Sequence, residues 1–234
     1  MAVYDEIEAL AQRILAELDS VYDYKEHTTV IWRVFQRWVQ QGHTVKSTNV
    51  DTGNVVTERD LVGLAQRYNS EYLLEFTFQH IVSLSETFIF DLLRLLLIDD
   101  PEHRISGKKQ FDVSTILSVP DRTSLVALIA DRELNDLKYK RAAQWFERLN
   151  NIVNISCPSE DEIGSYAEIK ASRDILVHNA KVVNDTYVRK AGAKGRFQSG
   201  DQMEISGDYH RAAWLLVKKI ATDVSAETMA KFAL

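Results

Sequence analysis

The stretch that most constrains this chain runs from Thr57 to Pro101. Apolar residues recur there at helical spacing and culminate in FIFDLLRLLLI, Phe88 to Ile98, interrupted only by Asp91 and Arg94. So apolar a surface has to be buried over much of its length, which predicts a core helix with other elements packed around it. The run falls short of the ~20 apolar residues a membrane-spanning helix requires. Thr57, with Asp60 three residues on, marks the start of this helical stretch; a break is expected near Asn69 and Ser70, and Pro101 ends it.

The flanking segments carry the same period. Ile7, Leu10, Ala11, Ile14, Leu15, Leu18 and Val21 mark one face of a first helix. Val30, Ile31, Val34, Phe35, Trp38 and Val39 mark a second, with Gly42 as its stop. The polar segment HTVKSTNVDTGNVVT, with a DTGN turn between β-branched runs, reads as a loop or small hairpin. It separates an N-terminal helical pair (residues 1–56), expected to pack on the same core, from a main domain (residues 57–234). After a loop rich in Lys, Gly and Ser, further helices are predicted at about 112–118, 121–136 and 139–153. Ser159 and Glu162 form a capping-box pattern opening another helix. A polar, glycine-containing stretch, 184–206, leads to a last helix at about 208–232 with Asp208 as its cap. The expected class is all-α.

With 234 residues and 45% hydrophobic content, the chain can bury one substantial core without staples. The net charge of −6 argues against coating nucleic acid over a large surface, which draws on many clustered cations, and leaves room for a local basic site. Cys157 is the only cysteine, so no intrachain disulfide forms. The N-terminal MAVYDEIEALAQRILAEL is acidic and amphipathic rather than signal-like, and the expected location is cytoplasmic, away from membranes.

Chemistry concentrates in RDILVHN, residues 173–179. At about 100° per residue, Asp174 and His178 share a helix face while Arg173 and His178 diverge by about 140°. Two arrangements bring the latter pair to one point: a helix break at or just after His178, or a second copy of the motif facing the first across a dimer axis. The residue types suit phosphoryl chemistry. Arginine offers a planar fork of donors to phosphate, and histidine exchanges protons near neutrality. Asp174 is suited to orienting the imidazole, and Asn179 to holding phosphate or neighbouring backbone. The competing reading is a capped, salt-bridged helix end.

Arg173, four intervening residues and His178, with Asp174 and Asn179 beside them, resemble the Arg-x4–6-His signature of the HEPN superfamily. The likeness extends through LLEFTFQHIVSLSETFIFDLLRLLL and YKRAAQWFERLNNIV to RDILVHNAKVVNDTYVRKAG, roughly residues 57 to 234. The resemblance implies a HEPN-like helical bundle with an N-terminal helical extension, usually a homodimer whose motifs meet in a cleft. It implies a metal-independent endoribonuclease leaving a 2′,3′-cyclic phosphate, in defence, toxin–antitoxin or stress systems, with an antitoxin or defence-system protein as partner. His178 would then be the acid or base, Arg173 the phosphate binder, and Asp174 and Asn179 their positioners. Other members of the superfamily bind RNA, a nucleotide or a protein without cleaving. In the toxins inactivated by nucleotide transfer, a tyrosine often stands two residues after the histidine; Ala180 stands there here, which puts that regulation in doubt.

Three further groupings bear on function. Gln79, Ser83 and Glu86 form a polar strip on the long helix, with Glu86 a candidate partner of Arg173 or part of a solvent-facing edge. Lys181, Arg189, Lys190, Lys194 and Arg196, interleaved with Tyr187 and Phe197, suit single-stranded RNA or belong to a solvated flexible loop. His27, His43, His80, His103 and His210 show no metal-ligand spacing, and AGAKG lacks the rest of a phosphate loop, so neither metal nor cofactor is expected. Trp32, Trp38, Trp145 and Trp214 are expected in core or dimer interface.

Overall fold

A computed structural model describes residues 3–45, 47–105 and 110–232. Most of the predicted Lys/Gly/Ser loop, residues 106–109, lies outside the described residues. The class is all-α, with one two-stranded hairpin.

The two helices expected at the N-terminus are a single 38-residue helix, α1 (Val3–Gln40). Nothing in YDYKEHTT, the segment between the two apolar stripes, removes a backbone donor or requires a left-handed residue, so the hydrogen-bond ladder continues. At about 1.5 Å per residue it reaches roughly 57 Å. Only its first half joins the core, through Ile7, Leu10, Ile14 and Leu18. The second stripe is a correction in burial too: Val30, Ile31, Val34 and Trp38 are exposed. Gly42, with φ +88°, provides the expected stop.

Strands β1 (Ser47–Thr48) and β2 (Val55–Val56) pair antiparallel, closed by a turn in which Asn49 Oδ1 accepts from the Asp51 and Thr52 amides at 2.9 and 3.0 Å. Thr57 caps α2 (Glu58–Arg67), accepting from the Asp60 amide. The break expected at Asn69–Ser70 is a π-helical turn, Tyr68–Tyr72, that passes without interruption into α3 (Leu73–Asp99). Phe78, Ile81, Val82, Phe88, Leu92 and Leu96 of α3 are almost wholly buried, so α3 is the predicted core helix.

Short helices α4 (Pro101–Arg104) and α5 (Val113–Ser118) lead to α6 (Arg122–Lys138), whose N-terminus Asp121 caps at 2.7 Å, and α7 (Ala142–Val153). α7 starts three residues later than expected, leaving Tyr139, Lys140 and Arg141 in a turn. Ser159 and Glu162 cap α8 (Glu160–His178) reciprocally, as their spacing predicts. The segment after it is more ordered than a connecting loop: α9 (Asp185–Ala191) forms beneath an Asn184 cap, and Val182 bridges Gln202. The last helix, α10 (Gly207–Ala230), is capped by Ser206 rather than Asp208, which instead places its charge favourably in the first turn. α1, α3, α6, α7, α8 and α10 close one continuous core around α3, and a smaller cluster joins Ala171 and Ile175 of α8 to Tyr187 of α9. Trp145 is buried in the main core, and Trp214 stacks on Tyr22 with ring centres 4.2 Å apart.

Candidate functional site

Helix α8 presents Lys170, Arg173, Asp174 and His178 along adjoining strips of its surface, because residues three and four apart are neighbours on a helix. The Arg173 guanidinium reaches Glu86 on α3, and its other amino group lies 3.3 Å from Asp174. Lys170 Nζ stands 3.3 Å from Glu86 and 3.4 Å from Asp174, and Lys190 of α9 reaches Asp174 at 3.0 Å. Three cations from two helices thus surround two carboxylates from two helices. The pairing of Glu86 with Arg173 is therefore present, with both side chains largely withdrawn from solvent. Burial alone would raise the Asp174 carboxyl; the charges of Lys170, Lys190 and Arg173 overcome it and hold the group below the usual aspartate range. Arg173 Nε is buried without a hydrogen-bond partner among the described residues. Beneath the network, the wholly buried Tyr166 hydroxyl meets Ser85 at 3.0 Å, and burial followed by the Glu86 charge pushes its pKa above the usual tyrosine range.

His178 is the last residue of α8 and is exposed. It lines a groove of about 280 Å³ together with Asp174, Asn179, Asn184, Thr186 and Lys190. Asp174 thus faces both ways, touching Arg173 and lining the His178 groove. The helix breaks immediately afterwards, one of the two arrangements expected: Asn179 leaves helical geometry, and Ala180 and Lys181 take positive φ values of 48° and 67°. The Asn179 side chain donates to the Val182 carbonyl, so it serves the turn. Within one chain Arg173 turns toward α3 and His178 toward α9, and the break does not by itself bring them together.

Of the five basic residues after the motif, Lys190 lines the groove and Arg189 is exposed on α9, where it contacts Thr186 at 3.4 Å. The others are held elsewhere. Lys181 pairs with Glu75, and Lys194 with Asp161 at 2.5 Å. Arg196 is anchored by Glu168 at 3.0 Å and packs 3.3 Å above the Tyr209 ring. Glu168, almost wholly buried, also accepts from Ser172, Tyr187 and Tyr209 at 2.8, 2.7 and 2.6 Å. This buried carboxylate gathers the predicted flexible loop onto α8, which is why it is ordered. Sequence reasoning passed over Lys170, although its place four residues before Asp174 and three before Arg173 was a signal.

Elsewhere, burial followed by the Glu227 charge pushes the Cys157 thiol up to about 12, leaving it unreactive as a nucleophile. His210 is buried against Thr77 at 2.8 Å, and burial together with the nearby Lys25 charge lowers it to about 4. Among the described residues no group of three or more His, Cys, Asp or Glu side chains is placed to hold a metal ion, and no helix is long and apolar enough to cross a membrane. Comparison of the chain with protein-family models, with curated proteins and with solved structures finds no match in any of the three.

Proposed function

We propose that the protein is a metal-independent endoribonuclease of the HEPN type, acting as a homodimer. The observation that carries this reading is the position of Asp174 between the Arg173 guanidinium and the His178 groove, within a network where cations outnumber carboxylates in a chain of net charge −6. Such a local cationic excess attracts a phosphodiester that the rest of the surface repels. His178, at the exposed end of α8, is free to take the 2′-hydroxyl proton, and a histidine returns a proton to the leaving 5′-oxygen. Arg173 supplies planar donors for the charge that builds on the non-bridging oxygens. Because the two side chains of one chain face different neighbours, a twin subunit completes the pocket, and one motif used twice builds two equivalent pockets, each from the Arg173 of one chain and the His178 of the other. The setting we propose, a cytoplasmic defence, toxin–antitoxin or stress system with a protein partner, follows from the resemblance of the motif.

Purified protein incubated with total RNA in excess chelator provides the test. The enzyme reading requires cleavage that persists in chelator, leaves 2′,3′-cyclic phosphate ends and disappears in His178→Ala. A second reading, a non-catalytic module binding RNA, a nucleotide or a protein, draws on the engagement of Arg173 by two carboxylates; binding without cleavage would favour it.

A further inference from the structure

The last residue of α6 and the turn that follows it read Lys138, Tyr139, Lys140, Arg141, and all four residues are exposed. Its backbone is pinned: the Leu137 carbonyl accepts from the Lys140 amide at 2.9 Å and from the buried Trp145 indole at 2.8 Å. Among the described residues, Lys138, Lys140 and Arg141 have no carboxylate within ion-pair distance. That separates Lys140 and Arg141 from Lys181, Lys194 and Arg196, whose charges are taken up inside the fold; Lys138 Nζ stands 5.3 Å from the centre of the Phe90 ring, with no carboxylate beside it. Tyr139 is 93% exposed. Nothing in the packing accounts for an aromatic ring held out in water between unpaired cations.

The turn is continuous with the site already described. It lines a cavity of about 180 Å³ together with Ala171 and Lys190, both of which also line the His178 groove. On its other side Lys138 and Lys170 pass into a third hollow of about 400 Å³ that reaches Glu86 and Trp145. A strip of basic surface therefore runs from His178 past Lys190 to the turn.

We propose that the Lys138–Arg141 turn binds the single-stranded RNA flanking the phosphate in the His178 groove, through phosphate contacts to Lys138, Lys140 and Arg141 and one base stacked on Tyr139. Lysines and arginines beside an exposed aromatic ring on a fixed backbone are the elements of sequence-tolerant single-strand recognition. The proposal rests on the nuclease reading for the path of the strand; the binding surface itself stands without it.

The test is fluorescence anisotropy with a labelled mixed-sequence 20-nucleotide RNA, in the His178→Ala background so that the probe stays intact, over a range of salt. Removing three phosphate contacts should reduce the slope of log affinity against log salt by about 2 in the Lys138→Gln/Lys140→Gln/Arg141→Gln variant. Tyr139→Ala should weaken binding about tenfold while changing the salt slope little. Arg33→Gln/Arg37→Gln/Arg59→Gln, which removes three exposed cations of α1 and α2, is the control for net charge. Affinity and slope unchanged in the triple variant would overturn the proposal and leave the nuclease reading intact. An equal loss in the control would overturn it as well, by showing a general charge effect. If the variants behave as expected but the parent protein cuts no RNA, the binding surface stands and the nuclease reading falls.

Discussion

Arg173 of α8 and Glu86 of α3 form an ion pair whose side chains are 15% and 23% exposed, so the helix carrying the motif is tied through its arginine to the core helix. Removing one member of such a pair leaves the other's charge unbalanced. Glu86→Gln abandons Arg173 and Lys170 together, and solvent access moderates the cost to about 1–2 kcal/mol. Urea unfolding should show the lower midpoint, and RNA cleavage should fall with it. Wild-type stability and activity in this variant would separate Glu86 from the site.

Glu168 has a stronger claim on stability than any group in the proposed pocket. Its carboxylate accepts from Ser172, Tyr187, Tyr209 and Arg196, which join α8, α9, α10 and the loop between the last two. Glu168→Ala leaves several buried donors without an acceptor, an expected cost of about 2–4 kcal/mol. Hydrogen exchange should speed first in residues 182–203. Exchange that rises evenly along the whole chain would show that Glu168 supports the fold generally instead of fastening α9.

What was readable in the sequence divides along the range of the interactions responsible. The Ser159–Glu162 box and the Thr57 cap are contacts three residues apart, and both formed where their spacing placed them. The burial of α3 followed from apolar density; for Glu86 the cost of an uncompensated carboxylate pointed to Arg173, with a solvent-facing edge as the open alternative, and the structure shows the pair. α9 was missed because its anchor is remote: Tyr187 reaches Glu168 across 19 residues of chain. Lys181 looked available for RNA because its partner Glu75 lies 106 residues away. The outer stripe of α1 has the period of a buried face, but only Phe35 and Val39 of it are half-buried while Val30, Ile31, Val34 and Trp38 are exposed, and periodicity carries no information about where neighbours end.

His210 should make stability depend on pH in the mildly acidic range. Its folded-state value of about 4 lies below the ordinary histidine value of 6.5, so between the two the unfolded chain binds more protons than the native one. Stability is therefore fully present above about 6.5 and is lost progressively as pH falls toward 4, by on the order of 3 kcal/mol. Thermal unfolding from pH 4 to 7 should show this slope in the parent protein and a flatter profile in His210→Gln. Equal slopes would show that His210 does not carry the acid sensitivity; Asp174, held below the ordinary aspartate value of 3.8, loses its contribution only at still lower pH in either protein.

Whether the pocket is built from two chains can be decided by mixing inactive proteins. Arg173 faces α3 and His178 faces α9, so a site that needs both must draw one of them from the partner, if it forms as we propose. Arg173→Ala and His178→Ala should each be inactive alone, with His178→Ala close to the parent in melting temperature because its side chain is exposed. Arg173→Lys should not recover activity, since a lysine offers no planar fork to the phosphate. After unfolding and refolding together, random assortment makes about half of the dimers mixed, each with one of its two pockets intact, so activity should return to roughly a quarter of the parent level. A mixture as inactive as its components, with mixed dimers demonstrated by mass spectrometry of differently tagged chains, would mean that no pocket draws its arginine and histidine from different subunits.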